Sequence, residues 1–245
     1  MQILLTVAYD GTDYAGWQRQ ENAIAVQEKL ENALSQIMGR EITVRAASRT
    51  DAGVHALGQR ASFFTPEMRI PLEKLPQVIT GYLPDNISVT GAKEVLENFN
   101  PRFDAKEKTY IYNIYNAPLP NPLLSRYSAF IPLELNFTAM QEAAKSFIGK
   151  HDFAAFCAAG SSAKTTVREI YNCEINRKEN NLVSLTITGN GFLYNMVRII
   201  AGTIVYAGLG KIPPESIHEI ITLKKRENAG KTMPPQGLVL LEVKY

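Results

Sequence analysis

The first hundred residues show a regular succession of strand and helix periodicities. Alternating apolar and polar residues predict strands, and apolar residues three or four positions apart predict helices. The predicted order is strand, helix, strand, strand, helix and strand, over residues 2–9, 23–38, 42–47, 58–65, 71–83 and 87–95. This order is typical of the split βαβ, or ferredoxin-like, arrangement, in which helices cover an antiparallel sheet.

The rest of the chain has similar content with one additional helix. Predicted strands cover residues 108–115, 167–177, 182–188 and 238–244, and predicted helices cover residues 138–148, 192–207 and 214–223. Pro101, Arg102 and Phe103 mark the crossing between the halves. We therefore predict an α+β protein of two ferredoxin-like units. The N-terminal domain, residues 1–103, carries the loop around Asp51, and the C-terminal domain, residues 104–245, carries a tyrosine-rich strand and an arginine-bearing helix.

A polar loop from Ser48 to Ala56 lies between two predicted strands. It places Arg49, Asp51, Gly53 and His55 within seven residues. Rigid strands that hold a polar loop are a common setting for a functional site. Asp-x-Gly is also the pattern of an Asx-turn, in which the carboxylate of Asp51 would bond only its own backbone. Both interpretations remain open at the level of sequence.

A second candidate is an arginine inside an apolar helix. Residues 192–209 are too short to span a membrane, which takes roughly 20 apolar residues, and Arg198 lies in their middle. A guanidinium in an apolar setting requires a carboxylate or a phosphate. Asp51 is the candidate partner. The alternatives are pairing with Glu174 or Glu169, or extension of the side chain to solvent.

Aromatic side chains provide candidates for contact with a nucleobase. Tyr110 and Tyr112 lie on one face of their strand because side chains alternate, and a ring on an exposed sheet face can stack on a base. Alternatively, both tyrosines pack beneath a helix as ordinary strand residues. The only tryptophan, Trp17, either packs over the core or contributes to a ligand surface.

Composition narrows the class of protein without identifying a partner. Of 245 residues, 45% are hydrophobic and 20% are charged, and the net charge is only +2, as in a globular protein. Residues 1–103 carry 10 Lys and Arg against 12 Asp and Glu, whereas residues 104–245 carry 16 against 12. This asymmetry would suit a phosphate backbone on the second half. Two cysteines and no signal peptide predict a reducing cytoplasm.

Common cofactor and nucleophile motifs are absent from the chain. Cys157, Cys173 and the three histidines have no metal-ligand spacing. There is no phosphate-binding loop, no dinucleotide fingerprint and no nucleophile elbow. An enzyme with this sequence is therefore expected to use a carboxylate, with no metal and no nucleotide cofactor.

Four stretches together form a specific pattern along the whole chain. They are YDGT with GWQ within residues 9–18, SRTDAGVHA at residues 48–56, RF with KTY within residues 102–110, and GFLYNMVR at residues 191–198. PQGL at residues 235–238 fits the same pattern. On these motifs the chain resembles the bacterial tRNA pseudouridine synthase A (TruA) family. Ser48 is a mild departure, since relatives often have glycine there.

The resemblance implies an isomerase that converts uridine to pseudouridine at positions 38, 39 and 40 of the tRNA anticodon stem-loop. It implies that Asp51 is the catalytic residue, that Arg198 pairs with Asp51, and that Tyr110 contacts the flipped uracil. Arg49 is expected to hold the flipped-out nucleotide or neighbouring backbone, and Leu193 is expected to line the pocket.

The resemblance also implies a fold and an assembly. In this family the two units are joined into one extended, mainly antiparallel sheet with helices on one side, the pseudouridine synthase fold. Relatives are homodimers with a basic cleft, and they act on tRNA without a cofactor.

Two other classes would require different features. An RNA-binding pair of ferredoxin-like domains without chemistry needs no buried acid, so the combination of Asp51 with Arg198 argues against it. A glycosidase or nucleosidase usually needs two acids near one site, and the loop around Asp51 offers one. Pseudouridine formation in tRNA without release of free uracil separates the isomerase from both classes.

Overall fold

The computed structural model describes residues 1–245 and contains ten strands and five α-helices. The strands are β1 Gln2–Tyr9, β2 Arg45–Ala46, β3 His55–Phe64, β4 Ile87–Val95, β5 Glu107–Asn116, β6 Ala129–Ile131, β7 Gly149–Asp152, β8 Val167–Arg177, β9 Leu182–Gly189 and β10 Leu238–Lys244. The helices are α1 Val26–Met38, α2 Leu75–Thr80, α3 Phe137–Lys145, α4 Met196–Gly208 and α5 Ile217–Leu223. None of these helices is long and apolar enough to cross a membrane.

The chain divides into two units, and the last strand belongs to the first of them. Unit 1 comprises Met1–Lys106 with Val239–Tyr245, and unit 2 comprises Glu107–Leu238. The C-terminal domain predicted over residues 104–245 includes β10, because chain order does not reveal that β10 pairs with β3. The close pairing depends on Gly58, since a Cβ at this position would lie 2.3 Å from the carbonyl oxygen of Leu241.

Unit 1 has the split βαβ arrangement that its periodicity predicts. β1 pairs with β3 and with β4, and β2 pairs with β3, all antiparallel. β3 therefore lies between β1 and β2, the two strands that α1 connects. α2 packs on β4 and contacts α1. The core includes Ile3 and Leu5 of β1, and Leu30 and Leu34 on the apolar face of α1.

Unit 2 repeats the arrangement with additional strands. Its antiparallel strands are ordered β5-β9-β8-β7, and β6 pairs in parallel with β5. β9 therefore lies between β5, which comes before α3 in the chain, and β8, which comes after it. α3 packs on β8 and on α4, and α4 also contacts β5. The predicted fold class is confirmed, because both units are α+β with mainly antiparallel strands.

The observed elements differ from the predicted ones where local turns interrupt the periodicity. α4 begins at Met196 rather than residue 192, because Asn195 has φ of 59° and cannot continue a helix from its N-terminal side. β7 was not predicted, since Gly149 and the residues after it read as a helix end. The strand predicted over residues 42–47 is reduced to β2, and the helix predicted over residues 71–83 is reduced to α2.

Candidate active site

The loop around Asp51 connects β2 with β3 in unit 1. Asp51 is partly exposed, and its backbone carbonyl accepts a hydrogen bond from the N–H of Val54 at 3.1 Å. Gly53, with φ of 75°, forms the turn and donates its N–H to the carbonyl of Tyr14 at 3.3 Å. The backbone from Asp51 to Val54 therefore forms a turn closed by a main-chain hydrogen bond, and this turn is attached to the loop that follows β1.

Two glycines bring that neighbouring loop into direct contact with the backbone around Asp51. A Cβ on Gly16, which has φ of 95°, would lie 2.5 Å from the carbonyl oxygen of Thr50 and 3.0 Å from the carbonyl carbon of Asp51. A Cβ on Gly11 would lie 2.0 Å from the carbonyl oxygen of Val54. No other residue fits at either position without moving the Asp51 loop, so both glycines are needed for its placement.

Trp17 and Tyr9 hold the same backbone from the core side. The N–H of Trp17 donates to the carbonyl of Thr50 at 3.1 Å. The hydroxyls of Tyr9 and Thr50 are 2.7 Å apart, and the rings of Tyr9 and Trp17 pack with centroids 5.8 Å apart. Trp17 is only 1% exposed. Of the two interpretations of Trp17, the structure supports packing over the core.

A buried amide fixes the start of the loop. The Gln59 side chain is 0% exposed; its Nε2 donates to the carbonyl of Ser48 at 2.7 Å, and its Oε1 accepts from the N–H of Ser48 at 3.3 Å. A buried side chain that hydrogen-bonds both the N–H and the carbonyl of one residue fixes the position of that residue. Gln59 is thus a supporting residue that the sequence analysis missed.

His55 and Asp10 tie the start of β3 to the loop after β1. His55 Nδ1 lies 3.0 Å from the N–H nitrogen of Gly11 and 3.1 Å from Asp10 Oδ1. The same Asp10 oxygen accepts hydrogen bonds from the N–H and the hydroxyl of Thr12, at 2.9 and 2.6 Å. This polar cluster supports the loop from one side, whereas Arg49 lies on the surface of the unit.

In unit 2, an aromatic pair lies where β5 meets the turn before α4. Tyr110 is 7% exposed and packs edge-to-face against Phe192, with ring centroids 5.2 Å apart and an interplanar angle of 84°. Leu193, the next residue of the turn, is buried, and its N–H points to the sulfur of Met196 at 3.4 Å. The structure therefore places Tyr110 against the same turn that carries Leu193.

Arg198 is oriented by groups of its own unit. Its Nε donates to the carbonyl of Met233 at 2.7 Å, and its Nη1 donates to Oδ1 of Asn195 at 2.7 Å. The main-chain N–H of Met233 donates a hydrogen bond to the main-chain carbonyl of Arg198 at 3.2 Å. These contacts hold the guanidinium plane in one orientation, and the left-handed backbone of Asn195 directs its amide toward Arg198.

The segment that contacts Arg198 is itself packed tightly on α4 and β5. A Cβ on Gly202 would lie 1.9 Å from the carbonyl oxygen of Lys231. The Tyr112 hydroxyl donates to the carbonyl of Pro234 at 2.7 Å. Burial raises the pKa of Tyr112, against a smaller lowering effect of Arg198, so the phenol stays protonated as a donor. Of the two predicted tyrosines, Tyr112 is structural.

The five predicted site residues are divided between the two units. Asp51 and Arg49 belong to the loop of unit 1, and Tyr110, Leu193 and Arg198 belong to β5, the adjoining turn and α4 of unit 2. The structure contains no group of three or more His, Cys, Asp or Glu side chains arranged as metal ligands.

Comparisons with known proteins give a consistent result over the whole chain. Residues 5–104 and 143–245 match the family described as tRNA pseudouridine synthase. The chain is 48% identical over 244 residues to tRNA pseudouridine synthase A of Ruminiclostridium cellulolyticum, covering 100% of this chain and 99% of that protein. It is 47% identical over 243 residues to tRNA pseudouridine synthase A of Caldicellulosiruptor saccharolyticus, covering 99% of each.

Similarity to solved structures is much weaker. A crystal structure of a Cbf5-Nop10-Gar1 complex has a TM-score of 0.37 and 14% identity, covering 97% of this chain and 48% of that one. The assignment therefore rests on the family match and on the relatives of nearly equal length. By these two results, the chain belongs to the tRNA pseudouridine synthase family.

Proposed function

We propose that this enzyme isomerises uridine to pseudouridine at positions 38, 39 and 40 of the tRNA anticodon stem-loop. The observation that carries the proposal is the placement of Asp51. Its loop is held by two glycine contacts, by Trp17 and by the buried amide of Gln59. A solvated surface turn needs no such support, whereas a catalytic carboxylate requires a fixed position.

The reaction begins with extrusion of the target nucleotide. A base inside a stem cannot present its glycosidic bond until it leaves the stack. A flipped uracil needs an apolar and aromatic surface to replace the stacking that it loses. Tyr110 and Leu193 provide such groups on neighbouring positions of unit 2, and we assign them to contact with the uracil. Arg49, on the surface of the Asp51 loop, is assigned to the flipped nucleotide or to backbone beside it.

Isomerisation exchanges one bond of the uracil for another. The N1–C1′ bond breaks, the same uracil rotates, and a C5–C1′ bond forms while C5 loses a proton and N1 gains one. Cleavage develops positive charge on the ribose, and a carboxylate stabilises that charge. We assign this role to Asp51. Exclusion of water keeps the detached uracil from being lost before it rejoins the ribose.

Arg198 is proposed to pair with Asp51 during this reaction. Its Nε and Nη1 are engaged with Met233 and Asn195, so the guanidinium has a fixed direction. An opposite charge favours the ionised form of a carboxylate in a site that excludes water. The reaction as proposed uses no metal or nucleotide cofactor.

The proposed working form is a homodimer in the cytoplasm. The basis is the resemblance, in which two copies form one basic cleft for tRNA. Unit 2 carries 14 Lys and Arg against 10 Asp and Glu, an excess that suits contact with phosphates. Light scattering coupled to size exclusion should give twice the mass of the 27.2 kDa chain; a monomer that retains full activity would count against the dimer.

The decisive test is a paired measurement on Asp51→Asn, which retains the shape and removes the charge. Phosphate and stacking contacts govern tRNA affinity, so we expect binding within about tenfold of wild type, about 1.4 kcal/mol. Bond cleavage depends on the carboxylate, so we expect no pseudouridine in the same tRNA by chemical mapping. If binding and product both persist, Asp51 is only a turn residue. If binding is lost while the fold survives, Asp51 organises the RNA site instead.

A further inference from the structure

Arg168, the second residue of β8, lies beside the aromatic pair of unit 2, and the proposed function assigns no role to it or to the loop before it. Residues 157–166 form a loop rich in small and hydroxyl side chains, which leads into β8 at Val167. The main-chain N–H of Ala158 donates to the carbonyl of Tyr194 at 3.1 Å. The loop is therefore attached to the turn that carries Phe192 and Leu193.

Arg168 lies against the first residue of that turn. Its Nε is 3.8 Å and its Cδ 3.9 Å from the position that a Cβ on Gly191 would occupy. Gly191 directly precedes Phe192, whose ring packs on Tyr110. The guanidinium of Arg168 is thus next to the surface proposed to receive the flipped uracil, and every contact in this chain of neighbours lies within unit 2.

The electrostatic environment of Arg168 is unusual for a partly buried arginine. Its Nη1 donates to the main-chain carbonyls of Thr165 and Val167 at 2.9 and 2.6 Å, and it forms no ion pair with a carboxylate. Burial lowers its pKa, with a smaller opposing effect of Cys157, yet a guanidinium remains charged at neutral pH. A partly desolvated charge without an acidic partner is stabilised when an anion binds.

We propose that Arg168 binds a phosphodiester of the RNA strand next to the target uridine, and that it positions the nucleotide against Tyr110 and Phe192. The proposal rests on tRNA being the substrate. Two carbonyls hold Nη1 and fix the guanidinium plane, while a phosphate oxygen accepts from its remaining N–H groups. The hydroxyl of Thr165, whose carbonyl accepts from Nη1, is a further donor for this phosphate.

The first test compares Arg168→Gln with Lys178→Gln in tRNA binding at several salt concentrations. Lys178 is exposed, follows the other end of β8 and has the same charge; at about 3.3 Å per residue it lies roughly 33 Å away. Arg168→Gln should weaken binding about tenfold and lower the salt-dependence slope by about one. Lys178→Gln should change neither. Equal slopes for Arg168→Gln and wild type would overturn the proposal.

The second test changes the RNA instead of the protein, so it remains informative if Arg168→Gln folds poorly. A series of synthetic anticodon stem-loops is used, and each RNA carries one neutral methylphosphonate at a different linkage near the target uridine. With wild-type protein, a methylphosphonate at one linkage adjacent to the target should weaken binding about tenfold. With Arg168→Gln, a methylphosphonate at the same linkage should have almost no further effect. If the methylphosphonate at every linkage weakens binding by the same factor in wild type and in Arg168→Gln, Arg168 contacts none of these phosphates and the proposal is refuted.

These outcomes separate the inference from the proposed function. Wild-type enzyme that binds tRNA but forms no pseudouridine would contradict the proposed function, and the coupling between linkage and Arg168 could still be measured. Wild-type enzyme that forms pseudouridine, with no coupling at any linkage, would contradict the role of Arg168 alone. Arg168→Lys adds a discriminating readout, because it should restore the salt slope and only part of the affinity.

Discussion

Substitution of Gly16 by alanine should slow the reaction about hundredfold without unfolding the enzyme. The new Cβ would lie 2.5 Å from the carbonyl oxygen of Thr50, whereas ordinary van der Waals contact begins at 3.4 Å. The peptide that precedes Asp51 must therefore move by about 0.9 Å, or the loop that carries residue 16 must move away. Misplacement of a reacting group by about 1 Å can reduce the rate about hundredfold, which corresponds to about 2.7 kcal/mol of transition-state stabilisation.

Gly39→Ala is the matched control for this substitution. Gly39 also has positive φ, 65°, but nothing lies within 4 Å of the position that its Cβ would occupy. Alanine in the left-handed region costs about 1–2 kcal/mol, and each kcal/mol lowers Tm by about 2–4 °C in a protein of this size. Gly39→Ala should therefore lower Tm and leave the rate of the folded enzyme unchanged.

The assay is single-turnover formation of pseudouridine in an anticodon stem-loop, at saturating enzyme and below the melting transition. Gly16→Ala should reduce the rate about hundredfold and should bind the RNA nearly as wild type does, since the phosphate contacts are unaffected. If Gly16→Ala loses stability as Gly39→Ala does but retains its rate within about threefold, about 0.65 kcal/mol, the close contact at Gly16 does not determine the position of Asp51.

Substitutions at three further residues test other contacts. Arg198→Lys retains the charge but loses the planar donors that bond Met233 and Asn195, so the folded variant should turn over at least about tenfold more slowly; a near-normal rate would contradict the pairing with Asp51. Tyr110→Phe should bind tRNA far better than Tyr110→Ala, and equal behaviour of both variants and wild type would make Tyr110 only a core residue. Lys224, and then Thr166, lower the pKa of Asp152; the stability gained is present above the usual pKa of 3.8 and is lost as pH falls through the lowered value. Asp152→Asn should therefore have a lower Tm than wild type at pH 7, and this difference should shrink as the pH falls below about 4. A Tm difference that is the same at every pH would contradict the role of the Asp152 charge.

The order of strands and helices could be predicted from the sequence because each element carries its own periodicity. The spacing of Leu30 and Leu34 on α1 depends only on which face of the helix is buried. β10 also had the predicted bounds, but its membership of unit 1 did not follow from them. Which strand it pairs with depends on the close approach of Leu241 to Gly58, a contact between positions far apart in the sequence.

The residues that hold the Asp51 loop in place were harder to predict, because their role also depends on contacts between positions far apart in the sequence. Gln59 lies on the same face of β3 as Ala61 and Phe63, and only the structure shows that its amide is fully buried against Ser48. The single available signal was a polar residue at a position where the alternation of β3 expects burial. Gly11 and Gly16 were visible as residues, but their purpose depends on backbone that lies about 35 to 45 positions further along the chain.

Each unit has backbone contacts of its own that fix its part of the proposed machinery. In unit 1, Gly16 removes a side chain so that backbone can reach the peptide of Asp51; in unit 2, Gly202 does the same for the segment that ends at Met233 and holds Arg198. Backbone contacts of this kind remain when a catalytic side chain is replaced. Loss of activity in Asp51→Asn or Arg198→Lys therefore reports on the charge or the donor geometry removed. The glycine substitutions instead change position while they leave both charged groups present.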